Sequence, residues 1–276
     1  SSEAERLPRD YGGYNVTKRL GCGNYGDVYL VTDPHSGELK ALKILRKKPH
    51  WSTQEFLRRA AQEVAALQMV EHKNIIKLEK HFADPHDENL YLVITEYAAG
   101  GQLMDRIIRR FGSRRPYTER EVSFILRSVL SACTHMHARR IVHGDLKPEN
   151  LLYLDETDET LKVVDFGFAQ LCIDGDYLHK YRGTLDYMAP ELLGSVKRYD
   201  SKVDVWSAGV LLYVLLSGTL PFRRAWHGIT AREADTRVRE LILAGRFETE
   251  IGPAWRAVTP AAKSLLRRML SPTPAA

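Results

Sequence analysis

Cysteine is scarce in this chain. Its 276 residues hold three, Cys22, Cys133 and Cys172, too scattered for a disulfide framework or a zinc ligand set, and that usage suits a reducing cytosol. Long hydrophobic runs are missing as well. The longest, Val210 to Leu216, is interrupted by Tyr213 and falls short of the roughly 20 residues that span a bilayer. No secretory leader is visible, so Asn15-Val16-Thr17, which spells a glycosylation acceptor, reads as a chance match. The calcium-loop spacing D-x-[DN]-x-[DN]-G with a glutamate beyond it does not occur. No motif interleaves aromatic and basic residues as a nucleic-acid face would. The net charge of +5 comes from basic residues spread along the chain, which reads as a solvated surface. Ser1 rather than Met opens the chain, the expectation for a fragment, and a lipidated N-terminus would then lie outside it. The expected setting is cytoplasmic, with no membrane segment in this stretch and no nucleic-acid partner.

What is present is an ordinary globular composition, 44% hydrophobic and 27% charged, in a chain long enough to bury a core in two lobes. Residues 1–13 read as a loose lead-in. From Tyr14 the pattern alternates through Val16, Lys18 and Leu20, meets Gly21-Cys22-Gly23-Asn24-Tyr25-Gly26, and resumes at Val28 and Leu30. That predicts a hairpin whose glycine-rich turn lets backbone approach phosphates closely. G-x-G-x-x-G alone also fits a dinucleotide fingerprint, but that reading needs a helix after the glycines, and Asp27 to Val31 reads as a strand. A third strand, Leu39 to Leu45, carries Lys43. A helix over about residues 53–70 follows, with Phe56, Val64 and Leu67 on its apolar side. Ile75 to Phe82 and Leu90 to Glu96 complete an expected five-stranded sheet, and Gly100-Gly101 closes the first lobe. Thr118-Glu119-Arg120-Glu121 reads as a helix cap, with an apolar-periodic helix running from it through His137.

The chemistry gathers between Val142 and Asn150, V-H-G-D-L-K-P-E-N, with Asp165-Phe166-Gly167 fifteen positions on. Asp145 can orient a hydroxyl and accept its proton, and Lys147 can neutralise charge on a moving phosphoryl group. Asn150 and Asp165 offer hard oxygens to magnesium held by ATP phosphates. The bland alternative, a charged surface turn before a strand, does not account for four polar types at these separations.

The stretch resembles the catalytic loop and metal motif of eukaryotic serine/threonine protein kinases, most closely the calcium/calmodulin-dependent and calcium-dependent group. The resemblance covers residues 14–270. It implies an α+β bilobal fold, with a mainly antiparallel nucleotide-holding lobe over residues 14–99 and a mainly helical catalytic lobe over 100–276. It implies ATP and Mg2+ as cofactors and Ser/Thr-bearing proteins as substrates, with a regulatory segment or calcium-binding module outside this chain. Gly21, Cys22, Gly23, Gly26 and Val28 would cover the nucleotide, and Ala41 and Leu152 would flank it. Thr95 falls at the gatekeeper position, while Glu96 and Ala98 would meet the adenine edge. Lys43 would hold phosphates, with Glu63 as its partner and Glu55 as the competitor. Gln102 stands where relatives place a glutamate that binds ribose or a basic substrate residue. Asp145, Lys147, Asn150 and Thr184 would be catalytic, Asn150 and Asp165 the metal ligands, and Asp204 a brace for the catalytic loop. His143, Phe166, Leu67 and Leu78 would stack as a spine.

Four departures stand out. Gly144 replaces the arginine before the catalytic aspartate, Gln102 is neutral, and residues 223–237 form a longer, more basic stretch than the family pattern. The chain also ends before the arginine that pairs with the glutamate at Glu191 in relatives, so an extended chain is expected to melt higher. The other functional class is a pseudokinase scaffold that binds nucleotide without turnover.

Overall fold

A computed structural model describes residues 10–23, 26–157, 159–172, 184–194, 199–223, 228–250 and 252–273, the side chains of Cys22, Gly23, Glu63 and Pro253 excepted. The first lobe is built on a sheet of β1 (Asp10–Tyr11), β2 (Tyr14–Gly23), β3 (Gly26–Thr32), β4 (Leu39–Arg46), β5 (Leu78–Ala83) and β6 (Leu90–Glu96). Their order is β1-β2-β3-β4-β6-β5, and every pairing is antiparallel. The sheet has six strands rather than the expected five. The lead-in contributes Asp10 and Tyr11, folded back onto β2 by Gly12 and Gly13, and Tyr11 lies 5.9 Å from the Tyr29 ring.

The strands' two-residue period sorts their side chains. Leu42, Ile44, Leu92 and Ile94 pack on one face with Tyr14 and Tyr29. Leu45 and Val93 face the other way, against Phe56, Ala60 and Val64 of α1 (Thr53–Gln68). Lys43 shares strand parity with Leu45, so it emerges on the face that α1 covers. Ser52 caps α1 by accepting the Glu55 N–H at 3.1 Å.

The second lobe begins with α2 (Leu103–Gly112) and α3 (Glu119–His137). Thr118 and Glu121 close a capping box on α3, as their spacing predicts. Two short antiparallel pairs follow. β7 (Ile141–Val142) pairs with β10 (Gln170–Leu171), and β8 (Leu151–Tyr153) pairs with β9 (Leu161–Val163). Beyond them lie α4 (Pro190–Leu193), α5 (Lys202–Ser217), α6 (Ala231–Leu243), α7 (Pro253–Arg256) and α8 (Pro260–Met269). α5 is apolar around its circumference and buried from Val203 to Leu216 apart from Val205, as a helix at the centre of a lobe must be. Among the described residues no helix is long and apolar enough to cross a membrane.

The lobes are joined by backbone. Ile76 donates to Val163 O at 3.0 Å, Val163 donates to Asn74 O at 2.8 Å, and Gly100 donates to Tyr153 O at 3.0 Å. Two histidines reinforce this seam. His72 Nδ1 accepts the Asn74 N–H at 3.0 Å while its Nε2 meets Ser131 Oγ at 3.1 Å, and His135 Nε2 accepts the Glu71 N–H at 3.3 Å. Burial pushes both rings below the usual histidine range. The His135 ring, Lys73, Lys162 and Arg139 push the same way on His72, as does Arg139 on His135. A lowered histidine pKa favours the neutral ring in the fold. Its stabilisation is therefore complete above the unfolded value of about 6.5 and is lost as pH falls through that value toward the folded one. Between pH 7.5 and 5.5 the wild-type melting temperature is expected to fall further than that of a His72→Asn/His135→Gln variant. Parallel melting curves would remove the histidines from the seam's pH response.

Candidate active site

The catalytic stretch is the loop between β7 and β8, and it is hung from one carboxylate. Asp204, in the first turn of α5, is 0% exposed. Its Oδ2 accepts the His143 N–H at 2.9 Å and meets His137 Nε2 at 2.8 Å, and its Oδ1 accepts the Gly144 N–H at 2.9 Å. Gly144 has φ +78°, the left-handed region where glycine carries no side-chain penalty. His143 accepts the Asp145 N–H on Nδ1 at 3.3 Å and donates from Nε2 to Val164 O at 3.1 Å, which fixes its tautomer. Its ring stands edge-on to Phe166, 5.2 Å between centroids, and Leu67 and Phe166 share one core with Leu78 packed against it. Of the four expected spine residues, His143 and Phe166 are in ring contact, and Leu67 and Leu78 belong to the same core.

Asp145 is 3% exposed and sits in a knot of four polar side chains. Its Oδ2 lies 2.8 Å from Lys147 Nζ and 3.1 Å from Asn150 Nδ2. Its Oδ1 faces the Thr184 N–H at 3.4 Å and the Thr184 hydroxyl at 3.5 Å. Lys147 Nζ donates to Thr184 Oγ1 at 2.9 Å, so threonine, lysine and aspartate close a ring. Asn150 spends both amide hydrogens on Asp145, the second on its carbonyl at 2.8 Å.

Asp165 holds φ +62°, a conformation costly for a residue with a side chain and one that clusters at functional sites. Its Oδ1 meets Lys43 Nζ at 2.7 Å and the Gly167 N–H at 3.4 Å. Burial alone would push this carboxyl up. Together the Lys43 ammonium, His143 and the Gly167 N–H outweigh burial and hold it below the usual range. Lys43, expected on Glu63, thus reaches across to the second lobe. The Glu63 side chain and its pairing lie outside the described residues, as does the Cys22 side chain.

Several of the residues expected to hold nucleotide are neighbours by strand register. Val28 lies opposite Lys43, Ala41 opposite Thr95, and Gln102 bridges to Leu152. Ala98 is buried. Gly21 and Gly26 flank the turn, whose tip, Asn24 and Tyr25, lies outside the described residues. A Cβ on Gly26 would fall 1.6 Å from Ile44 O, so no larger residue fits there.

Sequence reasoning missed two ion pairs. Lys162, buried in β9, meets Glu96 at 2.7 Å and ties the inter-lobe hinge down. A lysine between Leu161 and Val163 on a buried strand was the available signal, because a buried charge needs a partner. Arg223 meets Asp186 at 2.6 Å and Asp235 at 3.0 Å, linking the loop after Thr184 to α6. Nearby, Glu149 Oε2 and Tyr187 Oη are buried without a hydrogen-bond partner among the described residues. Burial, then Glu149 and Asp186, push the Tyr187 hydroxyl far up. Glu191 is half-buried, and burial raises its carboxyl, with Asp200 adding to the rise.

This fold and this knot define a protein kinase catalytic domain of the serine/threonine type. Residues 14–276 match the protein kinase domain, and the chain belongs to that family. It is 36% identical over 261 residues to Calcium-dependent protein kinase 3 of Plasmodium yoelii yoelii, covering 94% of this chain and 44% of that protein. It is 36% identical over 267 residues to Calcium-dependent protein kinase 4 of Plasmodium falciparum (isolate 3D7), 95% of this chain and 46% of that one. With Calcium-dependent protein kinase 5 of Plasmodium berghei (strain Anka) it shares 39% over 211 residues, 76% of this chain and 35% of that protein. The chain therefore spans less than half the length of these relatives.

Proposed function

We propose that this chain is catalytically competent and transfers the γ-phosphoryl group of Mg-ATP to serine and threonine hydroxyls of protein substrates. The observation that carries this reading is the knot of Asp145, Lys147, Asn150 and Thr184, formed around one buried carboxylate. Asp145 orients the acceptor hydroxyl and takes its proton as oxygen bonds to the γ-phosphorus and the bond to the β-phosphate oxygen breaks, releasing ADP. Lys147 neutralises the charge that spreads over the transferring oxygens. Lys43 would hold the α- and β-phosphates, with Glu63 as its partner. The backbone at Gly21, Cys22, Gly23 and Gly26 covers those phosphates. Val28, Ala41, Leu152 and Thr95 would line the adenine site, Glu96 and Ala98 would offer backbone groups to the adenine edge, and Gln102 would serve the ribose.

The donor set fits magnesium. Asn150 has committed its amide hydrogens to Asp145, which leaves its oxygen, and Lys43 and Gly167 both engage Oδ1 of Asp165, which leaves Oδ2. The ion would supply charge neutralisation between the phosphates. ADP release that depends on a serine peptide tests this reading against the scaffold alternative. A scaffold would be stabilised by ATP and release no ADP. The cytoplasm, and a calcium-responsive module outside this chain of the kind the relatives' names indicate, complete the proposal.

Two consequences concern substrate and switching. Gln102 removes one acidic contact for a basic residue upstream of the acceptor, while Glu149 keeps a buried oxygen without a partner among the described residues. A modest preference for upstream arginine is expected, because a neutral amide loses the charge-assisted part of the contact. A peptide array dominated by arginine three positions upstream would refute it.

Gly144 offers no guanidinium to gather a phosphate on the activation segment. Lys162, the candidate replacement, is committed to Glu96. Arg182, the other, lies outside the described residues, as do Asp174, Asp176, Tyr177, Lys180 and Tyr181. Dephosphorylated protein is expected to reach its full initial rate without a lag, with control arriving from outside this chain. A lag abolished by prior phosphorylation at Tyr177, Tyr181 or Thr184 would contradict this.

A further inference from the structure

A cleft of about 710 Å³ opens between α2 and α3, lined also by Tyr153. The inner face of α2, through buried Leu103 and Ile107, packs toward the turn Pro148–Asn150 of the catalytic loop. The outer face is a different surface. Arg106, Arg109 and Arg110 recur on it at helical spacing, Arg115 follows in the loop, and Arg120 faces them from α3. Against these five arginines the lining holds one carboxylate, Glu121. That group already accepts the Thr118 N–H and pairs with Arg110.

A run of arginines is most often a solvated face, but two features distinguish this one. First, part of it is pre-organised. Arg106 stacks on the Tyr153 ring at 4.0 Å and donates to Gly100 O at 2.8 Å, and Arg110 stacks on Tyr117 at 4.7 Å. Planar stacking orients a guanidinium fork without consuming its outward donors. Second, Arg109, Arg115 and Arg120 make no side-chain hydrogen bond or ion pair among the described residues, although acidic side chains sit nearby in sequence. The floor is apolar, with Ile125 and Tyr153 buried, and Phe124 stands 44% exposed on the rim.

We infer that this cleft is a docking site for an acidic peptide segment of a protein substrate, its carboxylates on the unpaired guanidiniums and one apolar side chain against Phe124 and Ile125. The kinase reading enters only in calling the partner a substrate; binding itself is measured without turnover. The cleft is open to solvent, and its base of Ile125 and Tyr153 with Phe124 at the rim adds an apolar contact that a peptide side chain can make and a bare polyanion cannot.

The test uses a short fluorescein-labelled peptide of aspartate and glutamate around one leucine, read by anisotropy. An Arg109→Glu/Arg115→Glu/Arg120→Glu variant should weaken it at least about tenfold, since each exposed charge contact is small and three add. Replacing the peptide's acids with asparagine and glutamine should abolish binding. Joined by a flexible linker to a serine substrate peptide, the acidic segment should lower KM about tenfold at unchanged kcat, by raising local concentration. The variant should erase that gain and leave the untailed peptide's kcat/KM as it was, which also reports that it has folded. Equal binding by the variant, or tighter binding of a short RNA or of anionic vesicles than of the peptide, overturns the site. A tail that binds but leaves KM unchanged overturns the assignment to a substrate. Absence of turnover with binding intact would count against the kinase reading and leave the docking site standing.

Discussion

Asp204→Ala is expected to destabilise the protein by about 3–5 kcal/mol and to abolish activity. The carboxylate is fully buried and engages His143 N–H, Gly144 N–H and His137 Nε2. Alanine strands two buried backbone donors, each costing about 1–3 kcal/mol, and leaves His137 without its partner. In a domain of this size each kcal/mol corresponds to about 2–4 °C, so the midpoint should drop by roughly 10 °C. Asp204→Asn should fall between, because its amide oxygen can serve one N–H. Denaturant unfolding checks both variants. A loss below about 1 kcal/mol for Asp204→Ala would mean the loop holds its shape without the brace.

Asp145→Asn should separate chemistry from stability. The amide keeps the shape and can still accept from Lys147, Asn150 or Thr184 on one oxygen, so the melting temperature should stay within about 2 °C of wild type. It cannot take a proton at neutral pH or match the carboxylate's hold on Lys147. A general base contributes about 10²–10⁴-fold, so kcat should fall roughly 10³-fold while the KM for ATP changes little. A kcat within tenfold of wild type would show that Asp145 does not carry the proton.

Much of the catalytic loop was legible because its residues act at short separations. Asp145, Lys147 and Asn150 lie within six positions, and the polypeptide turn that joins them also brings their side chains together. The Thr118–Glu121 cap was legible for the same reason. Other features depend on contacts that no local pattern encodes. Lys43 and Asp165 are 122 residues apart and meet only because the two lobes close on each other. Lys162 and Glu96 meet across the hinge, and Arg223 reaches Asp186 only once α6 is in place. The strand at Asp10–Tyr11 is too short to carry a period, and it exists because β2 offers an edge and Tyr29 a packing surface. Tyr14, by contrast, opens a strand whose alternation continues to the glycines, and there pattern and structure agree.

The most direct test of the account is transfer of label from [γ-³²P]ATP with magnesium to a serine/threonine peptide library, followed by acid hydrolysis and identification of the labelled amino acid, with Asp145→Asn protein as background. The account predicts phosphoserine and phosphothreonine well above that background and no phosphotyrosine. Equal labelling by wild type and Asp145→Asn would contradict it.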